Sequence, residues 1–424
     1  MNHSPAGRRL VVVGQGYVGL PLAMRAVEVG FDVVGFDVDK VRVDRLRRGS
    51  TYIDDVTDRD VADALATGRF HPGDEEACLA GFDVAVVTVP TPLHDGAPDL
   101  GYVCSAASML APHVRPGCCI VLESTTYPGT TEEVFVPLLE KAGRLRAGRD
   151  FHVGYSPERI DPSNATWTFA STPKIVSGID PGSAAVTAEF YSALVERVVP
   201  VSGTREAELA KLLENTFRHV NIALVNELAI FCHRLGIDVW SVIDAAATKP
   251  FGFMRFTPGP GVGGHCLPID PSYLSWKVRH SLGQSFRFVE IANDVNDHMP
   301  DYVAVRATAH LNARRKAVNG SSVVLLGLAY KRNSGDARQS PAIVVAQRLL
   351  ELGAVVRAVD PLIDPDQVPD GVTLVDCTEE VLSGADLIVA LTDHDAIDWQ
   401  LVSAHADHVL DTRNRVPSVA TDRL

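Results

Sequence analysis

Apolar runs and helical patterns alternate in the first part of the chain. Leu10–Val13 is apolar at every position, which is typical of a strand buried on both faces of a parallel sheet. Leu20–Val29 has apolar residues at helical spacing, Gly30 ends that pattern, and Phe31–Phe36 is a second strand-like run. This order predicts a strand, a helix and a second parallel strand, which together form a βαβ unit.

Further strand-like runs follow along the first half of the chain. They lie at Asp83–Val89 and Cys118–Glu123, and each leads into a loop rich in hydroxyl side chains. In open α/β sheets, ligands bind in the crevice at the carboxyl ends of the strands. Because Tyr155–Arg159 follows another short strand, we expect its side chains at the same crevice.

The middle of the chain has a helical pattern. Thr204–Leu235 keeps its apolar residues at helical spacing without a proline, and such a helix is about 45 Å long. We interpret it as a central strut or a dimer interface. Asp238–Ala247 and Ser285–Asn312 are also predicted to be helical.

The last third of the chain repeats the order of the opening. Ser322–Leu328 is strand-like, Pro341–Leu352 is helical, and Val355–Asp360 is strand-like, with Asp360 in the place of Asp37. Gly327–Tyr330 stands where the first unit has a glycine-rich turn. We therefore predict a second doubly wound domain that binds a different nucleotide or none.

These patterns predict the fold class α/β, with two doubly wound Rossmann-like domains joined by a central helical domain that contains a long helix. The predicted domains cover residues 1–200, 201–315 and 316–424. The long helix favours a homodimer or a higher homo-oligomer.

A glycine-rich turn, Gly14–Gly19, directly follows the first predicted strand. Gly14 allows a tight turn, Gly16 allows the backbone to approach a pyrophosphate, and Gly19 allows the helix to pack closely on the strand. Asp37 ends the second strand and is placed to accept the ribose hydroxyls, which favours NAD over NADP. The alternative is a glycine turn that serves packing only.

Composition excludes several classes of protein. The chain has 424 residues, 46% of them hydrophobic and 22% charged, which is typical of a globular protein. A net charge of −14 excludes a generally basic nucleic-acid-binding protein. Seven cysteines, an odd number, do not indicate a disulfide framework and suggest a reducing compartment. Since no signal peptide or membrane-length apolar run is found, we expect a cytoplasmic protein without a membrane partner.

Cys266 follows four glycines within Gly259–Gly264, and Asp270 lies four residues further on. Dense glycines permit close backbone approach, and a cysteine at the end of such a loop suits a nucleophile. The alternative is a small buried cysteine, as for the other six. His265 is a candidate base or only a packing residue, and no metal site is predicted because neither residue has a ligand partner at metal-binding spacing.

Lys211 and Asn215 lie one turn apart on the predicted long helix, and therefore on one face. A lysine and an amide side by side can stabilise an oxyanion. The alternative is a solvated lysine beside a capping asparagine.

Together these residues resemble the UDP-glucose/GDP-mannose dehydrogenase family of nucleotide-sugar 6-dehydrogenases. The resemblance extends almost from end to end through seven ordered motifs: Gly14–Pro21, Val89–Pro92, Glu123–Thr125, Ser156–Glu158, Lys211–Asn215, Gly263–Cys266, and Tyr330–Lys331 with Asp336–Arg338. Lys249–Pro271 is most similar to the branch that oxidises UDP-N-acetylglucosamine or UDP-N-acetylmannosamine.

The resemblance implies a four-electron oxidation of the sugar C6 alcohol to the carboxylate with two NAD. Cys266 would hold the sugar as a thiohemiacetal and then as a thioester. Lys211 and Asn215 would stabilise the oxyanion, Asp270 and Thr125 would position water or assist proton transfer, and Glu158 would serve hydrolysis.

The glycine-rich turn and the resemblance together indicate two sets of binding residues, one for the cofactor and one for the substrate. The cofactor set is Gly14, Gly16, Tyr17, Val18, Gly19, Asp37, Arg42, Thr91, Thr125 and Arg338. The substrate set is Arg159, Lys211, Asn215, Lys249, Arg255, Gly263, Lys331 and Arg413. The alternatives are a UDP-glucose or GDP-mannose dehydrogenase, a two-electron NAD dehydrogenase of a small hydroxy acid, a non-catalytic nucleotide-sugar sensor and a cysteine hydrolase.

Overall fold

A computed structural model describes residues 6–53, 55–141, 143, 145–160, 166–264, 267–417 and 421–424. The chain divides into two compact units, Met1–Glu214 with Ser272–Gly283, and Asn215–Pro271 with Gln284–Leu424. The predicted central domain is shared between these units, and the predicted boundaries near residues 200 and 315 stay predictions.

The described part of the first unit contains ten strands. They are β1 (Arg9–Val13), β2 (Asp32–Phe36), β3 (Phe70–Gly73), β4 (Val84–Val87), β5 (Leu93–His94), β6 (Ala97–Pro98), β7 (Cys119–Leu122), β8 (His152–Tyr155), β9 (Lys174–Gly178) and β10 (Val198–Pro200). Eight of them form one sheet in the order β10-β9-β8-β7-β4-β1-β2-β3, and β5 pairs with β6 separately. Within the large sheet only β8 and β9 pair antiparallel.

The helices of the first unit cover both faces of this sheet. They are α1 (Gly19–Glu28), α2 (Lys40–Arg47), α3 (Asp58–Ala66), α4 (Gly101–Leu110), α5 (Val136–Glu140) and α6 (Pro181–Ser192). Leu10 and Val12 of β1 pack in the core cluster that includes α1, whereas Val11 and Val13 pack in the one that includes α4. Burial on both faces explains why β1 is apolar at every position.

Four helices follow: α7 (Thr204–Leu235), α8 (Val239–Ala247), α9 (Asp270–Leu282) and α10 (Arg287–Ala313). The 32 residues of α7 match the predicted range at both ends. The side chain of Asp238 caps α8 by accepting from the Trp240 amide. The sequence did not predict α9, which begins at Asp270. In the described ranges, none of the helices combines the length and the apolar character that a bilayer crossing requires.

The second unit carries a parallel sheet of six strands: β11 (Ser322–Leu326), β12 (Val355–Val359), β13 (Thr373–Leu374), β14 (Leu387–Ala390), β15 (Val409–Asp411) and β16 (Asp422–Arg423). Their order is β13-β12-β11-β14-β15-β16. Helices α11 (Pro341–Glu351), α12 (Glu379–Ser383) and α13 (Trp399–Ser403) contribute to the two cores beside it. The predicted repeat is confirmed, because β11, α11 and β12 have the arrangement of β1, α1 and β2.

Candidate active site

The turn between β1 and α1 leaves open space over its middle glycine. Gly14 has φ +94°, and the Thr88 hydroxyl donates to the Gly14 carbonyl at 2.8 Å. A Cβ on Gly19 would lie 1.9 Å from the Gly14 carbonyl oxygen, whereas no atom lies within 4 Å of a Cβ built on Gly16. A backbone open at the N-terminus of a ten-residue helix fits the pyrophosphate of a dinucleotide. In the same turn Tyr17 is exposed and Val18 directly precedes α1.

Asp37 follows β2 beside this turn and is 6% exposed. Its Oδ2 accepts from the Gln15 amide at 2.8 Å, and its Oδ1 accepts from the Asp39 amide at 2.9 Å. Arg42 on α2 places Nη1 3.7 Å from Asp37 Oδ2. Because an ionised carboxylate has about four acceptor positions, Asp37 retains acceptor capacity for ribose hydroxyls.

A hydrogen bond joins the hydroxyl-rich loops that follow β4 and β7. Since β4 lies between β1 and β7, both loops emerge at the sheet edge that also carries the glycine turn. The Ser124 hydroxyl donates to the Val89 carbonyl at 2.7 Å, and the Tyr273 hydroxyl donates to the Thr91 carbonyl. Thr125 is half-buried in the second loop. Thr91 and Thr125 are therefore held near the place that fits the cofactor.

A buried charged cluster lies where β7, β8 and β9 end or begin, and we call Glu123, Glu158, Lys174 and Tyr191 the carboxylate cluster. Lys174 Nζ contacts Glu123 Oε1 and lies 3.3 Å from Glu158 Oε2. The Tyr191 hydroxyl donates to Glu123 Oε2 at 2.5 Å. The side chains of Glu123, Lys174 and Glu158 are only 0%, 5% and 13% exposed. The sequence predicted Glu158 at this edge but missed the other three residues.

The two carboxyl groups of the cluster ionise differently. Burial raises the pKa of Glu123 to about 7, although the Lys174 charge acts in the opposite direction. Burial also acts to raise the pKa of Glu158, but the Lys174 charge, the hydrogen bond with Glu123 and the Ile160 amide outweigh it and lower that pKa. Glu158 is therefore the ionised carboxylate of the pair at neutral pH.

Lys211 and Arg159 also belong to the first unit. Lys211 on α7 is only 7% exposed, which argues against the alternative of a solvated lysine. Its charge contributes to the lowered pKa of Glu158. Arg159 Nη2 lies 2.7 Å from Glu214 Oε1, and its Nη1 donates to the Pro173 carbonyl at 2.6 Å. The charge of Arg159 is thus paired within the protein.

Asn215 is fixed by an aspartate at the start of α9. The Asn215 side-chain amide donates to Asp270 Oδ2 at 2.5 Å, and both residues are 4% exposed. This contact leaves the Asn215 carbonyl oxygen and one N–H for another partner. Because Asn215 lies inside α7, it is not a helix-capping asparagine, and that alternative is excluded.

The glycines before Cys266 are required by their neighbours. Gly264 has φ +85°, and a Cβ there would lie 2.8 Å from the ring of Tyr330. A Cβ on Gly263 would lie 2.6 Å from the Gln339 carbonyl oxygen. His265 and Cys266 lie outside the described residues, so their predicted roles stay predictions. The loop that leads to Cys266 is nevertheless packed closely on the segment around Tyr330.

The remaining predicted basic residues belong to the second unit. Arg338 makes a two-point contact with Asp336 through Nε at 2.9 Å and Nη2 at 2.6 Å. Arg413 donates to the Leu391 carbonyl at 2.7 Å, and burial lowers its pKa. Its Nη1 would lie 2.5 Å from a Cβ on Gly259, so the glycine makes room for the guanidinium. Lys331 is half-buried after β11.

Lys249 and Arg255 are both exposed. Lys249 Nζ lies 4.8 Å from the centre of the Phe251 ring. Arg255 Nη2 lies 2.9 Å from Asp244 Oδ1. Their predicted contact with a diphosphate stays a prediction.

Asp360 corresponds to Asp37 in the second sheet but is fully engaged by the protein. It accepts four backbone amides, those of Leu328, Ala329, Leu362 and Ile363. His394 Nε2 also lies 3.2 Å from its Oδ2. Burial would raise the pKa of Asp360, but His394 and the amides lower it to about 2. In the described part of the second unit, Gly327–Tyr330 thus stands in place of the glycine-rich turn, and the acid that corresponds to Asp37 is already bound by protein groups.

Three adjacent family models match the chain. They are the NAD binding domain of the UDP-glucose/GDP-mannose dehydrogenase family at residues 8–195, its central domain at 205–298 and its UDP binding domain at 324–418. The chain belongs to the UDP-glucose/GDP-mannose dehydrogenase family. The predictions of an NAD-dependent oxidoreductase for nucleotide sugars and of the α/β fold are thereby confirmed.

Individual relatives of this family cover most of the chain. UDP-N-acetyl-D-mannosamine dehydrogenase of Pyrococcus horikoshii is 34% identical over 412 residues, 96% of this chain and 95% of the relative. UDP-N-acetyl-D-glucosamine 6-dehydrogenase of Pseudomonas aeruginosa is 38% identical over 366 residues, 84% of each chain. The solved structure of the Pyrococcus enzyme has a TM-score of 0.88 at 33% identity and covers 98% of both chains. That of a UDP-glucose dehydrogenase from Pyrobaculum islandicum has a TM-score of 0.86 at 30% identity and covers 100% of this chain and 96% of its own.

Proposed function

We propose that the protein oxidises the C6 alcohol of UDP-N-acetylglucosamine or UDP-N-acetylmannosamine to the carboxylate. The observation that carries this proposal is the buried, ionised Glu158 at the sheet edge that fits the cofactor. An oxidation that stops at an aldehyde needs no water, whereas the hydrolysis of an acyl intermediate needs a base. Relatives named for these two N-acetylated sugars support the choice of substrate.

The overall reaction removes four electrons from the alcohol. One alcohol, one water and two NAD+ give one carboxylate, two NADH and three protons. NAD+, when bound, accepts one hydride from the substrate in each oxidation. The Cys266 thiolate adds to the C6 aldehyde to form a thiohemiacetal, whose oxidation leaves a thioester on Cys266.

Side chains of the protein then stabilise the negative charge on the reacting oxygen and activate the attacking water. Lys211 and Asn215 donate to the oxygen on which negative charge develops, because a buried cation and amide stabilise an oxyanion strongly. Asp270 orients Asn215 through their hydrogen bond. Glu158 takes a proton from the attacking water, and Thr125 helps to position that water.

The number of NADH released per sugar tests the proposal. We expect two NADH per molecule of UDP-N-acetylglucosamine or UDP-N-acetylmannosamine, measured by absorbance against quantified uronate. UDP-glucose and GDP-mannose complete the panel, and the similarity to a solved UDP-glucose dehydrogenase makes UDP-glucose the second candidate. One NADH per sugar would contradict the thioester route, and no NADH with any of the four would favour a non-catalytic sensor.

We also propose that the protein forms a homodimer through α7. Phe217, Leu224, Leu228, Phe231 and Leu235 are 36–71% exposed although large and apolar. Their spacing of seven, four, three and four residues places them on one stripe of the helix. Solvent-exposed apolar stripes of this size are typical of protein interfaces.

Phe231→Glu should shift the protein from dimer to monomer, because a charge in an apolar interface is left without a partner. Light scattering coupled to gel filtration measures the mass. Leu352→Glu is the control, since Leu352 is similarly exposed (47%) but lies outside α7. An unchanged mass for Phe231→Glu would exclude this face of α7 as the interface.

We propose a reducing, cytoplasmic location, because the reaction needs Cys266 as a free thiolate. All six cysteines in the described ranges are free thiols, which agrees with such a compartment.

A further inference from the structure

The carboxylate cluster contains one cation between two carboxyl groups in the protein interior. Lys174 begins β9, Glu123 follows β7, and Glu158 follows β8. Removing the Lys174 charge from such a cluster would leave the buried carboxyl groups without a compensating cation, which is strongly destabilising. Ordinary packing would be served better by apolar residues of the same volume. The cluster therefore requires an explanation beyond stability.

The charges near the Glu158 carboxylate come from several elements. They are Lys174 on β9, Glu123 after β7, Tyr191 on α6, Lys211 on α7 and Arg159 in its own loop. Arg159 is paired with Glu214 and donates only its backbone amide to Glu158 Oε1, at 2.5 Å. Among the described residues, Lys174 is thus the cation in direct side-chain contact with Glu158, and Glu123 shares it.

The contacts of Glu158 fix the orientation of its carboxylate as well as its charge. The Glu158 Oε1 atom accepts the amides of Arg159 and Ile160, while Oε2 faces Lys174 Nζ at 3.3 Å. Glu123 also hydrogen-bonds to the Glu158 carboxyl group. Of the two carboxyl groups, Glu123 is the one that is half protonated near pH 7, so it can donate to an ionised Glu158.

We propose that Lys174 and Glu123 are positioning residues for Glu158 during thioester hydrolysis: Lys174 keeps Glu158 ionised, and Glu123 orients its carboxylate. This inference rests on the proposed function. In that step an O–H bond of water breaks and its oxygen bonds to the carbonyl carbon. The C–S bond breaks, sulfur leaves as the Cys266 thiolate, and the water proton goes to Glu158. No electrons are transferred, and the products are the acid and protonated Glu158.

Lys174→Met should move the acidic limb of the kcat profile to higher pH by about two to three units, because a buried carboxyl without a cation resists ionisation. Uronate release at pH 6 should fall about tenfold or more, with a smaller loss at pH 8. Lys174→Arg should restore the profile, since it restores the charge. Lys316→Met is the matched control, because Lys316 pairs with Asp386 on the second unit.

Glu123→Gln should move the acidic limb in the opposite direction. The glutamine amide can still donate to Glu158, and the Lys174 cation then serves Glu158 alone, so Glu158 ionises at lower pH. The inflection near pH 7 that Glu123 contributes should also disappear. If Lys174→Met does not fold, the Glu123→Gln variant alone tests the inference: a shift of the acidic limb to lower pH supports it, and a shift to higher pH contradicts it. Equal losses at every pH in both variants, without a shift, would overturn the inference and leave only a structural role.

Infrared titration of the substrate-free protein separates this inference from the proposed function. Glu158→Gln identifies the Glu158 carboxyl band by its loss. We expect protonated Glu158 at pH 7 in Lys174→Met but not in the wild type. A shifted band in a protein that makes no uronate would contradict the proposed function alone, whereas an unshifted band in an active enzyme would overturn the positioning role.

Discussion

Gly19→Ala should prevent the first unit from folding stably, whereas Gly16→Ala should fold and lose affinity for NAD. A methyl group on Gly19 would lie 1.9 Å from the Gly14 carbonyl oxygen and 2.5 Å from the Thr88 hydroxyl oxygen. No rotamer change relieves a clash with backbone, so we expect a loss of about 3 kcal/mol or more. At Gly16 no atom lies within 4 Å of the added carbon, so stability should change by less than about 1 kcal/mol.

Urea unfolding and NAD titration calorimetry measure the two effects on the same proteins. The pair is matched, because both changes add one methyl group to the same turn. For Gly16→Ala we expect the NAD dissociation constant to rise about tenfold or more, since the methyl group occupies the space that fits the pyrophosphate. An unchanged NAD affinity in Gly16→Ala would show that the pyrophosphate does not lie over Gly16.

The fold was predictable because its signals are local. The apolar runs of β1 and β11 reflect burial on both faces, and each is followed by a helix and a parallel strand. The helix α7 was predicted at both ends, since its apolar residues keep helical spacing from Thr204 to Leu235 without a proline. The helix α9 was missed although Leu274, Val278 and Leu282 recur at every fourth position, a helical spacing that the prediction did not use.

The charged cluster was not predictable from local pattern. Glu123 and Lys174 are 51 residues apart, and Tyr191 is 68 residues from Glu123. Their contact depends on β9 joining the sheet beside β8 in the antiparallel direction. The one available signal was a charge at the end of each apolar run, at Glu123 and Lys174, where buried strands seldom carry one.

Asp37 and Asp360 show the limit of the internal repeat. Each follows the second strand of its unit, and the sequence shows the same acid in both places. In the second unit, however, His394 and four backbone amides hydrogen-bond to the Asp360 carboxylate. His394 comes from a loop far along the chain. A repeated pattern therefore predicts the repeated fold but not a repeated ligand site.

Cys266→Ser should abolish uronate formation while NAD binding persists. A serine hydroxyl without an adjacent base is a weak nucleophile, so the aldehyde is not held for the second oxidation. Loss of a catalytic nucleophile typically lowers kcat by about a thousandfold or more. We expect at most one NADH per sugar, with the aldehyde captured by added hydroxylamine and measured by mass spectrometry.

Cys377→Ser is the matched control for this change. Cys377 is a half-buried free thiol whose pKa is raised by burial, so it is not expected to act as a thiolate. Its replacement should leave both NADH molecules and the uronate unchanged. Full uronate production by Cys266→Ser would mean that the aldehyde is oxidised as its hydrate, without a covalent link to the protein. In that case Glu158 would act as base on the hydrate, and its lowered pKa would still be required, so the two routes differ only in the need for sulfur.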